Sequence, residues 1–271
     1  MVKKIFLAAL VIVALVLGGC ASAPVARQAY PSGTELYPAV YGTISEMFPR
    51  ARYASIDFYN NSYTITGITG YALTTPVTYD MIIRLTSSGE IDISYANIFM
   101  QDPKTRIWSR SEAFGLYNYS KVFSDVTDKM LAIANDREAF ARAEKAAMAD
   151  IFFVYAIMEK LTDLAFKDFI EKYAKGSTFV LEGPVSDVKE YGRPVNGITY
   201  KYIVTMNKNL IQDDSLASII SGKTIYCRLY TNRDDVIRLS KTSVIKVSAA
   251  LVSAARGSIG SGLVLDLAAS E

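Results

Sequence analysis

The chain has no histidine and only two cysteines, Cys20 and Cys227. Without an imidazole, Ser-His-Asp and Cys-His catalytic pairs are excluded, together with most catalytic zinc sites. Lysine or carboxylate chemistry survives that exclusion, but no constellation of such groups stands out. No catalytic residue, metal ligand or cofactor is therefore expected, and the chain reads as a non-enzyme. The acidic pairs Asp213-Asp214 and Asp234-Asp235 fall in turn-like segments, where aspartate is favoured for its own local hydrogen bonds. No EF-hand spacing surrounds them. Gly67 and Gly70 in "TGITG", and Gly257, Gly260 and Gly262 in "RGSIGSG", do not form a G-x-G-x-x-G between a strand and a helix, which leaves turns. Neither sign of charge is in large excess, with 29 Lys and Arg against 27 Asp and Glu. The longest apolar run, residues 5–17, is short of the roughly twenty residues a helix needs to cross a bilayer core.

That run follows Lys3-Lys4 and precedes Gly18-Gly19-Cys20. A positive start, a short apolar core and small residues at a cut site describe a secretory signal covering residues 1–19. Leu17-Gly18-Gly19-Cys20 resembles the lipobox of bacterial lipoproteins: a branched aliphatic residue, two small residues, then cysteine. The resemblance implies cleavage between Gly19 and Cys20, a diacylglyceryl thioether on Cys20 and acylation of the new terminus. Several acyl chains, at roughly 0.8 kcal/mol per buried CH₂, hold a protein durably on a membrane. Ala21 and Ser22 follow the cysteine. In two-membrane bacteria an aspartate there retains lipoproteins in the inner membrane, so its absence implies a cell-envelope protein of the outer membrane.

Cleavage also removes Lys3 and Lys4 and takes the net charge from +2 to formal neutrality. A neutral, exported chain has no basic field for nucleic acid, and none is expected as a partner. Acylated Cys20 leaves Cys227 without a disulfide partner. Cys227 sits in the alternating Ile225-Tyr226-Cys227-Arg228-Leu229 and reads as a small buried hydrophobe.

Residues 20–34, "CASAPVARQAYPSGT", are small, polar and proline-bearing. They read as a flexible tether with a reach of about 50 Å. Residues 35–175 read as an α+β domain, an antiparallel sheet followed by helices. Leu36, Val40, Ile44 and Met47 make a helical stripe with Pro38 in its first turn. "YASIDFYN" and "SYTITGITGYAL" have strand character, and "VTYDMIIRLT" and "EIDISYANIFM" flank "SSG" as a hairpin. In the second hairpin strand Ile91, Ile93 and Tyr95 share one face. Trp108, the only tryptophan, either stacks on a ligand or, more commonly, closes a core edge. Ser124 or Asp125 is the expected cap of the next helix, with a break and new cap at Asn135-Asp136. One helix is then expected through "REAFARAEKAAMADIFFVYAIMEK", with "IFFVYAIM" buried all round. Thr162 restarts a helix that Gly176 stops. The segment "YDMIIRLTSSGEIDISYANIFMQD" resembles a domain with a TATA-binding-protein-like fold seen in bacterial lipoproteins. The resemblance covers about 50 residues and implies no catalytic group.

Residues 176–271 change to short strands: "STFVLEGPVSDVKE", "GITYKYIVTM", "GKTIYCRLY", "SVIKVSAALV" and "GLVLDLAAS". Five strands in under about 100 residues suit a small closed β-barrel, with "NKNLIQDDSLASIIS" as a longer connection holding a short helix after the second strand. "FVLEGPVSDV", Ile225-x-Cys227-x-Leu229, "DDVIRLSKTSVIKVSAAL" and "LVLDL" resemble the OB-fold family called tRNA-anticodon-like. Ser243 and Ser248 stand where that family has glycines. The resemblance implies a binding barrel. Tyr226, Arg228 and Tyr230 alternate onto one strand face, and Tyr200 and Tyr202 share a face nearby. These five are the candidate ligand-binding residues, as an aromatic-plus-cation patch for an envelope protein or a glycan, or else as ordinary exterior of the barrel.

Overall fold

The computed structural model describes residues 29–113, 117–209, 224–257 and 262–269. The signal segment, Gly19, Cys20, Asp213-Asp214 and Gly260 lie outside the described residues, as does the expected helix-bearing connection from residue 210 onward, its first three residues, Asn207-Lys208-Asn209, ending a described strand. Six of the expected tether residues, 29–34, are described, and two of them join the first sheet's hairpin. Ala29 bridges Glu90, and the buried Tyr30 donates its N–H to the Gly89 carbonyl at 2.8 Å.

Pro38 stands in the first turn of α1 (Tyr37–Met47), where its missing N–H costs no helical hydrogen bond. The helix buries Val40 and Ile44. It lies close to α2 (Tyr119–Asn135) and α3 (Arg137–Ala149) because Gly42 has no side chain. A Cβ there would come within 2.9 Å of Ile133 Cδ1 and 3.1 Å of Ala143 Cβ.

The strands β1 (Arg52–Asp57), β2 (Ser62–Ala72), β3 (Thr75–Leu85), β4 (Ile91–Gln101) and β5 (Trp108–Arg110) form an antiparallel sheet in chain order. Tyr63, Ile65, Ile68, Val77, Tyr79, Met81 and Ile83 are buried on one face, beneath the helices. The hairpin around Ser87-Ser88-Gly89 forms as its sequence predicts, with Ile93 paired to Ile83 and Tyr95 to Met81. Gly67 and Gly70 are not in a turn. Both lie inside β2, where the register shifts between Ile65 and Ile68 and Gly67 has φ +79°, the bulge conformation a glycine adopts without steric cost. Trp108 does not close the core. It lies exposed in the edge strand β5.

Asn118 caps α2, its side-chain oxygen accepting from the Lys121 N–H. The helix therefore begins before the expected caps Ser124 and Asp125, because Tyr119 and Phe123 already pack against Tyr95 of the sheet. Asp136 caps α3 as expected. The long helix expected next is two. Asp150 ends α3 and caps α4 (Ile151–Met158) by accepting from the Phe152 and Phe153 N–H groups. Seven of the eight α4 residues are buried, as an all-round apolar helix requires. Thr162 caps α5 (Asp163–Phe169), which continues through a π-helical turn at Ile170–Ala174 to Gly176 at φ +84°. Among the described residues no helix is long and apolar enough to cross a membrane.

The remaining strands are β6 (Thr178–Val195), β7 (Ile198–Asn209), β8 (Thr224–Thr231), β9 (Val244–Arg256) and β10 (Leu263–Ala269). They curl into a closed sheet, β10-β8-β7-β6-β9, with β9 returning to β10. The β8–β10 contact is parallel and the other four are antiparallel. Phe179, Leu181, Val204, Met206, Ile225, Cys227, Leu229, Leu251 and Leu265 are buried. The α5 segment packs against β9, and one hydrophobic core runs from the first sheet through the helices into the second. The architecture is α+β.

Candidate functional site

The period of β8 decides what its side chains can do. Ile225, Cys227 and Leu229 are buried, while Tyr226, Arg228 and Tyr230 alternate to the other side. The parallel register sets Arg228 opposite Asp266 of β10. The guanidinium and carboxylate meet as a bidentate pair, Nε–Oδ1 2.6 Å and Nη2–Oδ2 2.8 Å. On the other flank of β10, Ser253 of β9 is opposite Asp266 and donates its hydroxyl to Oδ2 at 2.7 Å. The Tyr230 hydroxyl donates to Oδ1 at 3.4 Å. Asp266 thus accepts four hydrogen bonds from two neighbouring strands, and its carboxylate holds the Arg228 guanidinium above its ordinary pKa.

The five candidate residues do not form one platform. Tyr226 is 41% exposed beside Arg228. Tyr230 and Tyr200 are both buried. Tyr230 lies between Tyr191, 5.0 Å between ring centroids, and Tyr200 at 6.0 Å. Tyr202 turns elsewhere. Its hydroxyl donates to Asp234 Oδ1 at 3.3 Å, and Lys201 pairs with the same oxygen at 3.2 Å. That contact ties β7 to the 3₁₀ turn Asp234–Arg238. Asp235 is bound by Arg233, so both acids of this pair are engaged by cations. Among the described residues no group of three metal-ligating side chains occurs.

Cys227 is buried and free of a disulfide. Burial first, and the Asp266 charge second, push its thiol up to about 12, so it is a neutral thiol at physiological pH and not a nucleophile.

A second feature was not legible in the sequence. Between α5 with its π-helical turn and β9 lies a cleft of about 370 Å³. Phe166, Ile170 and Ala254 supply its apolar surface, with Asp163, Lys167 and Glu171 among its polar residues. Arg256 closes one end. Its Nη2 donates to the Met158 carbonyl at the end of α4 and to the Leu161 carbonyl just before the Thr162 cap, and its Nε pairs with Asp163 at 3.2 Å. Ser253 belongs both to this cleft and to the Asp266 network. Ser253 is thus the residue at which the strip Tyr226–Arg228–Asp266–Ser253 meets the cleft. Asp266 and Ser253 were missed. The available signal was the single acid in the closing "LVLDL", but its partner depends on parallel pairing that no local pattern encodes.

No family model matches the sequence, and neither curated proteins nor solved structures give a match.

Proposed function

We propose that this chain is a non-enzymatic binding protein of the cell envelope, cut between Gly19 and Cys20, acylated at Cys20 and held on the outer membrane. Residues 176–271 are read as an OB-like barrel that offers the Tyr226–Arg228–Asp266–Ser253 strip to an envelope protein. The observation that carries the binding role is the condition of Asp266. A carboxylate accepting four hydrogen bonds holds the Arg228 guanidinium in place beside the exposed Tyr226 ring. The strand order supports the barrel reading. Counted from β6, the ring runs first, second, third, fifth, fourth, and OB barrels use the face of their second and third strands for ligands. Those strands here are β7 and β8, of which β8 carries Tyr226 and Arg228, while Asp266 and Ser253 lie on β10 and β9.

Mass spectrometry of the mature amino terminus tests the anchor. An unmodified Cys20 or an intact Met1 overturns it. Crosslinking in intact envelopes tests the surface. A reproducible partner, lost with Arg228→Ala or Tyr226→Ala, is the expected result, and no such partner counts against the reading.

One observation favours a glycan as the occupant. The ring of Tyr226 is exposed beside a guanidinium whose Nη1 lies outside the Asp266 pair, so a sugar face and a sugar hydroxyl could be met side by side. Tyr200 and Tyr230 are buried, which leaves stacking to Tyr226 alone. Binding to cell-wall glycan that survives Tyr226→Ala unchanged rules this out.

A further inference from the structure

The outer face of the first sheet ends in two hairpin tips that expose large apolar side chains. The β2–β3 hairpin end carries Tyr71, 69% exposed, near the end of β2, and Leu73, 74% exposed, in the turn. The β4–β5 hairpin end carries Ile107, 65% exposed, in the turn, and Trp108, 44% exposed, at the start of β5. The register puts both turns at the same end of the sheet, since Val77 pairs with Met100 and Gln101 with Trp108. They are two strand spacings apart, about 10 Å.

Neither tip is explained by folding. Ala72 pairs with Thr75, so the first turn has a two-residue loop, and Leu73 occupies it at φ +56°. Hairpins place glycine or asparagine in such a position. A leucine there carries the cost of the left-handed region and buries little surface in return. The second turn is built to be rigid. Asp102 Oδ1 accepts from the Lys104 and Thr105 N–H groups, both at 2.8 Å, and Gln101 donates to the Arg106 carbonyl at 2.9 Å. Its cations Lys104, Arg106 and Arg110 are exposed, and none pairs with a carboxylate among the described residues. Of the nearby acids, Asp102 is turned onto the backbone of its own loop, and Glu112 lies two residues past Arg110.

We propose that these two tips dock on an anionic phospholipid bilayer, with Leu73, Ile107, Tyr71 and Trp108 entering the interface and Lys104, Arg106 and Arg110 meeting lipid phosphates. Aromatic rings and aliphatic side chains at interfacial depth, ringed by cations, are the chemistry such a surface selects. Chain length permits it beside a lipid anchor. Ala29 enters the fold at Glu90, the far end of β4 from the tips, about 35 Å away. The peptide steps from Cys20 to Ala29 extend to about 30 Å. Anchor and tips can therefore share one leaflet with the sheet inclined to it.

Trp108 is the only tryptophan, so its emission reports on one tip. The chain from residue 20 onward, carrying Cys20→Ser and retaining every described element, is mixed with phosphatidylethanolamine–phosphatidylglycerol vesicles or with phosphatidylcholine vesicles. Without the acyl chains, binding reports on the tips, and failure of the anchor reading leaves this test intact. The expected result is a blue shift of Trp108 emission and quenching by brominated lipid on the anionic vesicles. Binding should weaken roughly tenfold or more in the Leu73→Asp Ile107→Asp double variant, which removes two exposed apolar side chains that would enter the interface, while its circular dichroism is unchanged. No spectral change on anionic vesicles, undiminished binding by the folded double variant, or equal binding to phosphatidylcholine overturns the proposal. So does a blue shift that appears with rising protein concentration alone, which would mean that a second copy covers the tips.

Discussion

Arg228 and Asp266 are 38 residues apart and meet side by side across the parallel β8–β10 contact, with Nε 2.6 Å and Nη2 2.8 Å from the two carboxylate oxygens. Ser253 and Tyr230 supply the remaining donors. The carboxylate is therefore the joint at which three strands of the curled sheet are held in register.

Replacing Asp266 by Asn keeps the shape but ends the charge assistance and turns an amide N–H toward donors. Charge-assisted bonds contribute more than neutral ones, so Asp266→Asn is expected to cost about 1–3 kcal/mol. Ser253→Ala, which removes one donor, should cost about 1 kcal/mol. Urea denaturation midpoints at constant slope measure both. An unchanged midpoint for Asp266→Asn would mean that the network is decorative.

Arg256 makes a different prediction, about the junction of the two halves. Its guanidinium caps the carbonyls of Met158 and Leu161 and pairs with Asp163. A lysine retains the charge but not the fork. Arg256→Lys is expected to lose about 1–3 kcal/mol and to raise amide hydrogen exchange across the segment between α4 and α5. Exchange confined to β9 would argue against a clasp.

The elements were legible wherever the signal was local. Pro38 marked the start of α1, Asp136 and Thr162 announced their caps, and eight apolar residues gave the buried α4. Misreadings came where a non-local contact decided the outcome. Asn118, rather than Ser124, caps α2 because Tyr119 and Phe123 reach Tyr95 of the sheet. Asp150 reads as an ordinary polar residue of a long helix, yet it also accepts from the Tyr41 hydroxyl of α1 at 3.0 Å. Trp108 could not be placed from its own segment, since the edge strand that exposes it exists only by pairing with β4. Of the candidate strip, alternation along β8 was readable, but the partner of Arg228 was not.

Two glycines with opposite local preferences should respond in the same direction. Gly42 lies within α1, where alanine is favoured by about 1 kcal/mol on propensity alone. The new methyl, however, would crowd Ile133 and Ala143. Gly70 lies in β2 beneath Tyr117, whose ring would be 2.3 Å from an added Cβ. The Ile133 tip can rotate away, whereas a ring bonded through its hydroxyl to Tyr79 at 3.3 Å must be displaced whole. Gly70→Ala is therefore expected to cost about 1–3 kcal/mol, in the range of overpacked sites, and more than Gly42→Ala. Thermal melts of the two variants rank them, and the reverse order would contradict the close approach of Tyr117.

Alkaline pH is the chain's weak side. It has 18 tyrosines. Tyr53 and Tyr63 are held far above the ordinary tyrosine range, chiefly because burial disfavours the phenolate. Their hydroxyls have no hydrogen-bond partner among the described residues. Burial also pushes Tyr155, Tyr230 and Cys227 up to about 12. In the unfolded chain these groups ionise near 10 for tyrosine and about 8.5 for cysteine. Each folded pKa is raised, so the unfolded state releases its protons first as pH rises. The stabilising contribution is complete below about pH 8 and is lost progressively up to and through about pH 12. Absorbance at 295 nm followed against pH should show an early step from exposed tyrosines. A second step should coincide with loss of the far-ultraviolet dichroism. Below that second step a thiol reagent at pH 8 should leave Cys227 unmodified in the native chain and modify it in urea. A single titration of every tyrosine near pH 10 with the dichroism intact would contradict the burial of the Tyr53 and Tyr63 hydroxyls.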